Sequence, residues 1–132
     1  MTVRYHPSDW HTYPRQPVQK RVHFSSPPVE SIHPLILASH AVVVQTSTVG
    51  LESAVAGKSV ISIENSPAAH IWFSLAQLGV ATPSPTPADL PRVLDQVLAA
   101  GSLPVSTTYG SDGKAALRVA EVVTNAIAHR TP

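Results

Sequence analysis

The chain has 132 residues, 43% of them apolar and only 13% charged, with Lys plus Arg 9 against Asp plus Glu 8 and a net charge of +1. That is room for one packed domain, too apolar for wholesale disorder and too evenly charged for the basic face of a general nucleic-acid binder. The absence of cysteine excludes disulfides, thiol chemistry and thiolate metal ligands.

Residues 2–5 are a short strand candidate. Pro7, Pro14 and Pro17 then mark an irregular stretch over 7–19. Lys20 to Ser25 alternates as a strand does, with Val22 and Phe24 on one face. The turn Ser25-Ser26-Pro27-Pro28 leads into Val29–Ser39, where Ile32, Leu35, Ile36 and Ser39 keep helical spacing. Pro34 predicts a break there, and so two short pieces. Ala41 to Gln45, apolar through Val44, has the pattern of a strand buried on both faces. Ser47 to Ala56 is helical, with Gly57 suited to its C-terminal cap, and Ser59 to Ile63 is a further strand.

Ala68 to Leu78 reads as a helix and Gly79 to Thr82 as a short strand. Pro83, Pro85 and Pro87 make 82–88 a Pro-rich linker. Leu90, Val93, Leu94, Val97 and Leu98 fill the i, i+3, i+4, i+7, i+8 template behind Asp89 as N-cap, with Pro91 tolerated in the first turn. After a loop over 101–110, Ser111 caps a last helix with the stripe Ala116, Ala120, Val123 and Ile127. Strands alternating with helices indicate an α/β three-layer sandwich in a single domain, with a mostly parallel sheet of about five strands.

In such a sheet, ligands bind outside the carboxyl ends of the strands. The junction Thr46-Ser47-Thr48-Val49-Gly50-Leu51-Glu52 stands out there, because an apolar strand ends in three hydroxyl residues and enters a helix. The first amides of a helix lack internal partners and, with the helix dipole, favour a phosphate. Glu52, about one turn in, suits a ribose diol. The plain alternative is an N-cap followed by a dipole-complementing glutamate. His6 follows the first strand at the same predicted sheet edge, where it can meet a phosphate or transfer a proton.

Other motifs lead elsewhere. Gly57-Lys58-Ser59 resembles the end of a P-loop, but Glu52 stands where the first glycine belongs, and the tripeptide follows a helix instead of opening one. The seven histidines form no H-x-H or H-E-x-x-H pair, no D-x-D is present, and no G-x-S-x-G elbow occurs, so neither a metal site nor a serine hydrolase is expected. Residues 1–24 hold Arg4, Arg15, Lys20 and Arg21 with Tyr5, Trp10, Tyr13 and Phe24. That mixture suits either stacking on a base or covering the end of the core. No aliphatic run approaches the roughly 20 residues of a membrane span, and the first residues lack the apolar core of a secretory signal, so a cytoplasmic protein without an integral membrane segment is the expectation.

The stretch from Ala38 through Glu52-Ser53-Ala54 to Gly57-Lys58-Ser59-Val60-Ile61 resembles the nucleotide-sugar half of GT-B glycosyltransferases. It is most similar to surface- and capsular-polysaccharide biosynthesis proteins and to the related UDP-N-acetylglucosamine 2-epimerases. Ser59 stands where those families usually have proline. Arg4-Tyr5-His6-Pro7 is similar to their basic-x-His-Pro segment, and Asp112-Gly113-Lys114-Ala115-Ala116-Leu117-Arg118-Val119-Ala120 to their closing helix.

The resemblance implies a Rossmann-like fold and a donor such as a UDP- or CMP-linked sugar. It implies a nucleotide site of His6, Thr46, Ser47, Thr48, Val49, Gly50 and Glu52, with phosphates on the Ser47-Thr48 turn, ribose on Glu52 and His6 near the phosphates. It leaves His6 as the one candidate catalytic residue, with no cofactor and no metal in the transfer. GT-B enzymes react in a cleft between two domains. This chain has room for one, so the resemblance also implies a missing N-terminal-like domain or a homo-oligomer, and inactivity alone. Ser53 replaces the second of the glutamates usual in the epimerases, which disfavours an epimerase fragment. A non-catalytic interaction or regulatory module is the remaining alternative.

Overall fold

The computed structural model describes residues 1–7, 20–65, 74–101 and 112–128. Strands β1 (Thr2–Arg4) and β2 (His23–Ser25) pair in parallel as one small sheet. Helix α1 (Ile32–Ala38) leads to β3 (Ala41–Val44), helix α2 (Val49–Val55) and β4 (Ser59–Ile63). Strand β5 (Thr82–Ser84), a 3-10 turn (Pro87–Asp89), α3 (Leu90–Ala100) and α4 (Ala115–Ala128) complete the described chain. The second sheet has the order β3-β4-β5, all parallel. The α/β class and the parallel strands agree with expectation. The five strands nevertheless fall into two sheets, of two and three strands, and not one.

Alternation along β4 organises the core. Successive side chains of a strand point to opposite faces. Val60 packs with Ala54 of α2, Leu75, Val80 and Ala81, while Ile61 packs with Val93 and Val97 of α3. Helices α2 and α3 therefore cover opposite faces of the three-stranded sheet. The strand buried on both faces is β4, whose first four residues are all buried, not the predicted Ala41–Gln45 run. The reason is position: β3 lies at an edge of its sheet and leaves Val43 40% exposed.

Local chemistry explains the element ends. Helix α1 is one helix, because Pro34 falls at its third residue, where the missing N–H has no intrahelical acceptor to lose. Helix α2 closes as expected at Gly57, with φ +74°. There Gly57 N–H donates to Ala54 O (2.9 Å) and Lys58 N–H to Ser53 O (2.9 Å), the paired bonds of a Schellman end. Lys58 Nζ then reaches Leu37 O at 2.6 Å and caps α1. The predicted helix over 68–78 lies partly outside the described residues. The described part, 75–79, is a turn and not a helix, closed by Gly79 N–H donating to Ala76 O and Val80 N–H to Leu75 O.

The strand expected over Gly79–Thr82 lies at Thr82–Ser84, so Pro83 of the predicted linker sits inside an edge strand, where proline is tolerated. Helix α3 matches its template, but Asp89 makes no side-chain cap bond. Thr86, extended before the 3-10 turn, starts the helical segment, and its hydroxyl donates to Asp89 Oδ2 at 2.6 Å. This bond, with Arg92 3.7 Å from the same carboxylate, holds the Asp89 carboxyl below its usual range against a smaller opposing desolvation. Thr86→Val should raise the Asp89 pKa, as read by side-chain NMR titration. Because the folded-state value is lowered, the linked stability is complete above the ordinary carboxylate pKa of about 3.9 and disappears as pH falls through the lowered one. An unchanged Asp89 titration in the variant contradicts this assignment.

At the first strand, Arg4 donates to Ser25 Oγ and to Glu30 O, both at 2.7 Å, and Tyr5 stacks on Phe24 with centroids 6.5 Å apart. These contacts tie β1 to β2 and the turn after it; Tyr5 and Phe24 belong to neither buried cluster of the three-stranded sheet. Trp10, Tyr13 and nearly all of the 7–19 segment lie outside the described residues. Helix α4 carries the predicted stripe; the predicted cap Ser111 lies outside the described residues, and Asp112 stands before the helix, accepting from Lys114 N–H and from Arg118 at 3.0 Å. Its apolar stripe is exposed throughout the helix. No helix among the described residues is long and apolar enough to cross a membrane.

Candidate functional site

The strand-to-helix corner after β3 lies at the carboxyl end of the parallel sheet. Thr46, Ser47 and Val49 are half-buried, Thr48 and Glu52 are exposed, and Gly50 is buried. Ser47 accounts for part of the helix start. Its Oγ accepts from Val49 N–H at 3.3 Å and its carbonyl from Gly50 N–H at 3.0 Å. Thr48 is already helical, with φ −60° and ψ −20°, and its carbonyl accepts from Glu52 N–H. The plain N-cap alternative thus describes Ser47. The Thr48 and Leu51 amides have no partner among the described residues.

Gly50 has a packing role. A Cβ there would stand 2.4 Å from Leu75 Cδ1 and 3.1 Å from Val44 Cγ2. The glycine lets the first turn of α2 sit directly on the core. Ser53, fully buried, donates its hydroxyl to Val49 O at 2.6 Å and so satisfies itself within the helix.

Glu52 projects from the first turn of α2, 44% exposed, with Oε2 3.5 Å from His33 Nε2 of α1. Sequence reasoning did not find His33, because the contact spans 19 positions and two helices. It also missed Glu64 and Asn65, which follow β4 at the same end of the sheet as Gln45. Gln45 Nε2 donates to Asn65 Oδ1 at 3.3 Å, and Glu64 accepts from the buried Ser74 hydroxyl. Their signal was available: polar residues directly after a strand, the same cue that picked out Thr46.

His6 is exposed just past β1, in the other sheet, whose strands pair with each other and not with β3. The site residues contiguous in sequence are therefore brought together as a corner, while His6 belongs to a separate element. No lysine or arginine hydrogen-bonds or ion-pairs with residues 46–52 among the described residues. An anion there would meet amides and hydroxyls, with the Glu52 carboxylate and its neighbour His33 one turn on. No group of three or more His, Asp or Glu suited to a metal occurs among the described residues.

Two shallow depressions, of about 180 and 300 Å³, open at the other end of the sheet. They adjoin the first residues of β4 and β5 and the C-terminal glycines Gly57 and Gly101. There the helix C-termini converge, and the charge that suits them is the cationic Lys58. Comparison of the chain with family models, with curated proteins and with solved structures finds no match.

Proposed function

We propose that this α/β chain is a Rossmann-like donor-binding domain of glycosyltransferase type, which takes the diphosphate of a nucleotide sugar at the Thr46–Glu52 corner. The observation that carries the reading is the pair of unpartnered amides, Thr48 and Leu51, beside the Thr46 and Thr48 hydroxyls at the carboxyl end of a parallel sheet. Helix-start amides of this kind stabilise phosphate oxygens, and in a transfer reaction they would stabilise the leaving diphosphate without needing a cation. Glu52 takes the ribose, and His6 is the one chain residue offered for proton transfer. Transfer itself is expected only with a second domain or partner chain.

Calorimetric titration with UDP, CMP, GDP and uridine tests the reading. Binding of at least one phosphorylated nucleotide, with none for uridine, is the expected result. Equal heats for uridine and UDP, or none for any nucleotide, would remove the diphosphate from the account.

Helix α4 favours a second reading, an interaction module. At about 100° per residue, Ala116, Val119, Ala120, Val123 and Ile127 share one face, opposite Arg118, Glu121 and Asn125. The large residues of that face are 52–66% exposed. A self-associating chain should elute as a dimer in light-scattering chromatography, and Val123→Glu should return it to monomer. A monomer at all concentrations would leave the face to a different chain.

A further inference from the structure

We infer that α4 pairs with α4 of a second copy of this chain, antiparallel about a two-fold axis, so that the small residues of each helix seat the large residues of the other. The inference rests on the reading of α4 as an interaction surface and names its occupant. All 14 residues of α4 are exposed, so its apolar face is uncovered among the described residues. Ala116, Ala120, Val123 and Ile127 follow at steps of four, three and four. That spacing keeps them within about 60° around the helix and makes the seam of a two-helix pair.

The seam is graded. Alanines fill its amino-terminal half, and valine and isoleucine its carboxyl-terminal half. An antiparallel pair with its axis between Glu121 and Val122 sets Ala116 against the partner's Ile127 and Ala120 against the partner's Val123, small against large at every layer. A parallel pair would set alanine on alanine at one end and isoleucine on isoleucine at the other, with a gap and a clash in place of close packing. Charge agrees with the antiparallel arrangement. Leu117, Val119, Thr124 and Ala126 flank the seam without charge, while Glu121 and Arg118 lie on the far side, Arg118 turned back to Asp112 at 3.0 Å. No like charges meet, and each positive helix start lies beside the negative end of its partner. Leu117, Val119, Val123 and Ile127 are 52–66% exposed. Covering them and the seam alanines on both copies removes roughly 1,000 Å² from water, the least that a specific interface needs, so a dimer that dissociates on dilution is expected.

The chain has no cysteine, so cross-linking starts from a clean background. Wild-type protein should pass from monomer to dimer with rising concentration in light scattering. Ala116→Cys and Ile127→Cys, both at exposed positions away from the core, should each give little disulfide when oxidised alone. The axis holds like positions about 16 Å apart, beyond the reach of a disulfide. Mixed one to one, the two variants should give the mixed disulfide as the main cross-linked species by intact mass. Homodisulfides from each variant alone, the mark of a parallel pair, or no disulfide from the mixture, overturn this arrangement and leave α4 as an interface. A wild type that stays monomeric at every concentration overturns the second copy as occupant. A dimer that survives Val123→Glu unchanged overturns the reading of α4 beneath it, and this inference with it.

Discussion

Thr48→Pro should lose about tenfold or more of UDP affinity while the protein keeps its fold. Proline fixes φ near −65°, and Thr48 already sits at −60°. The position is the first of a helix, where proline is well accepted, and the amide it removes has no partner among the described residues. The fold therefore gives up no hydrogen bond, and the restricted unfolded chain favours the variant by about 0.4–1 kcal/mol. A bound diphosphate, by contrast, loses a charge-assisted donor worth about 1.5–3 kcal/mol. Thr48→Ala, which removes the hydroxyl and keeps the amide, separates the two contributions. Undiminished UDP affinity in a folded Thr48→Pro would show that the amide faces no ligand.

Leu75→Ala should destabilise the fold by about 2–5 kcal/mol, and Gly50→Ala should partly rescue it. Leu75 is 1% exposed in the cluster between α2 and the sheet, so truncation leaves a cavity. Gly50→Ala alone drives a methyl to within 2.4 Å of the Leu75 side chain. Such overpacking costs about 1–3 kcal/mol and outweighs the gain of about 1 kcal/mol in helix propensity. In the double variant the new methyl enters the space that Leu75 vacates. The two effects should fall short of additivity by more than about 0.5 kcal/mol in chemical denaturation. Strict additivity would contradict the packing described for this corner.

That pair shows where sequence reading reaches and where it stops. The α3 stripe and the Gly57 cap are local signals, carried by residues within two turns of each other, and the structure has both. The apolar runs at β3 and β4 look alike in sequence. Which one is central depends on β5, pairing from some twenty residues beyond β4, and so the burial of β3 was overestimated. Gly50 invites a ligand explanation because it lies in a hydroxyl-rich turn, yet Leu75, 25 positions away, accounts for it. His33 and Glu52 meet for the same non-local reason. Helix α4 presents the reverse case: its amphipathic pattern is plain, and its apolar face is exposed among the described residues.

The Thr46–Glu52 corner itself was legible because strand, hydroxyls and helix start are contiguous. What its sequence did not disclose is that Ser47 takes the Val49 and Gly50 amides, leaving Thr48 and Leu51. Amide chemical shifts followed during a UDP titration test that division most directly. Saturable shifts largest at Thr48 and Leu51, with Val49 and Gly50 moving less, are the predicted result; residues 46–52 that stay still under UDP, CMP and GDP alike would contradict it.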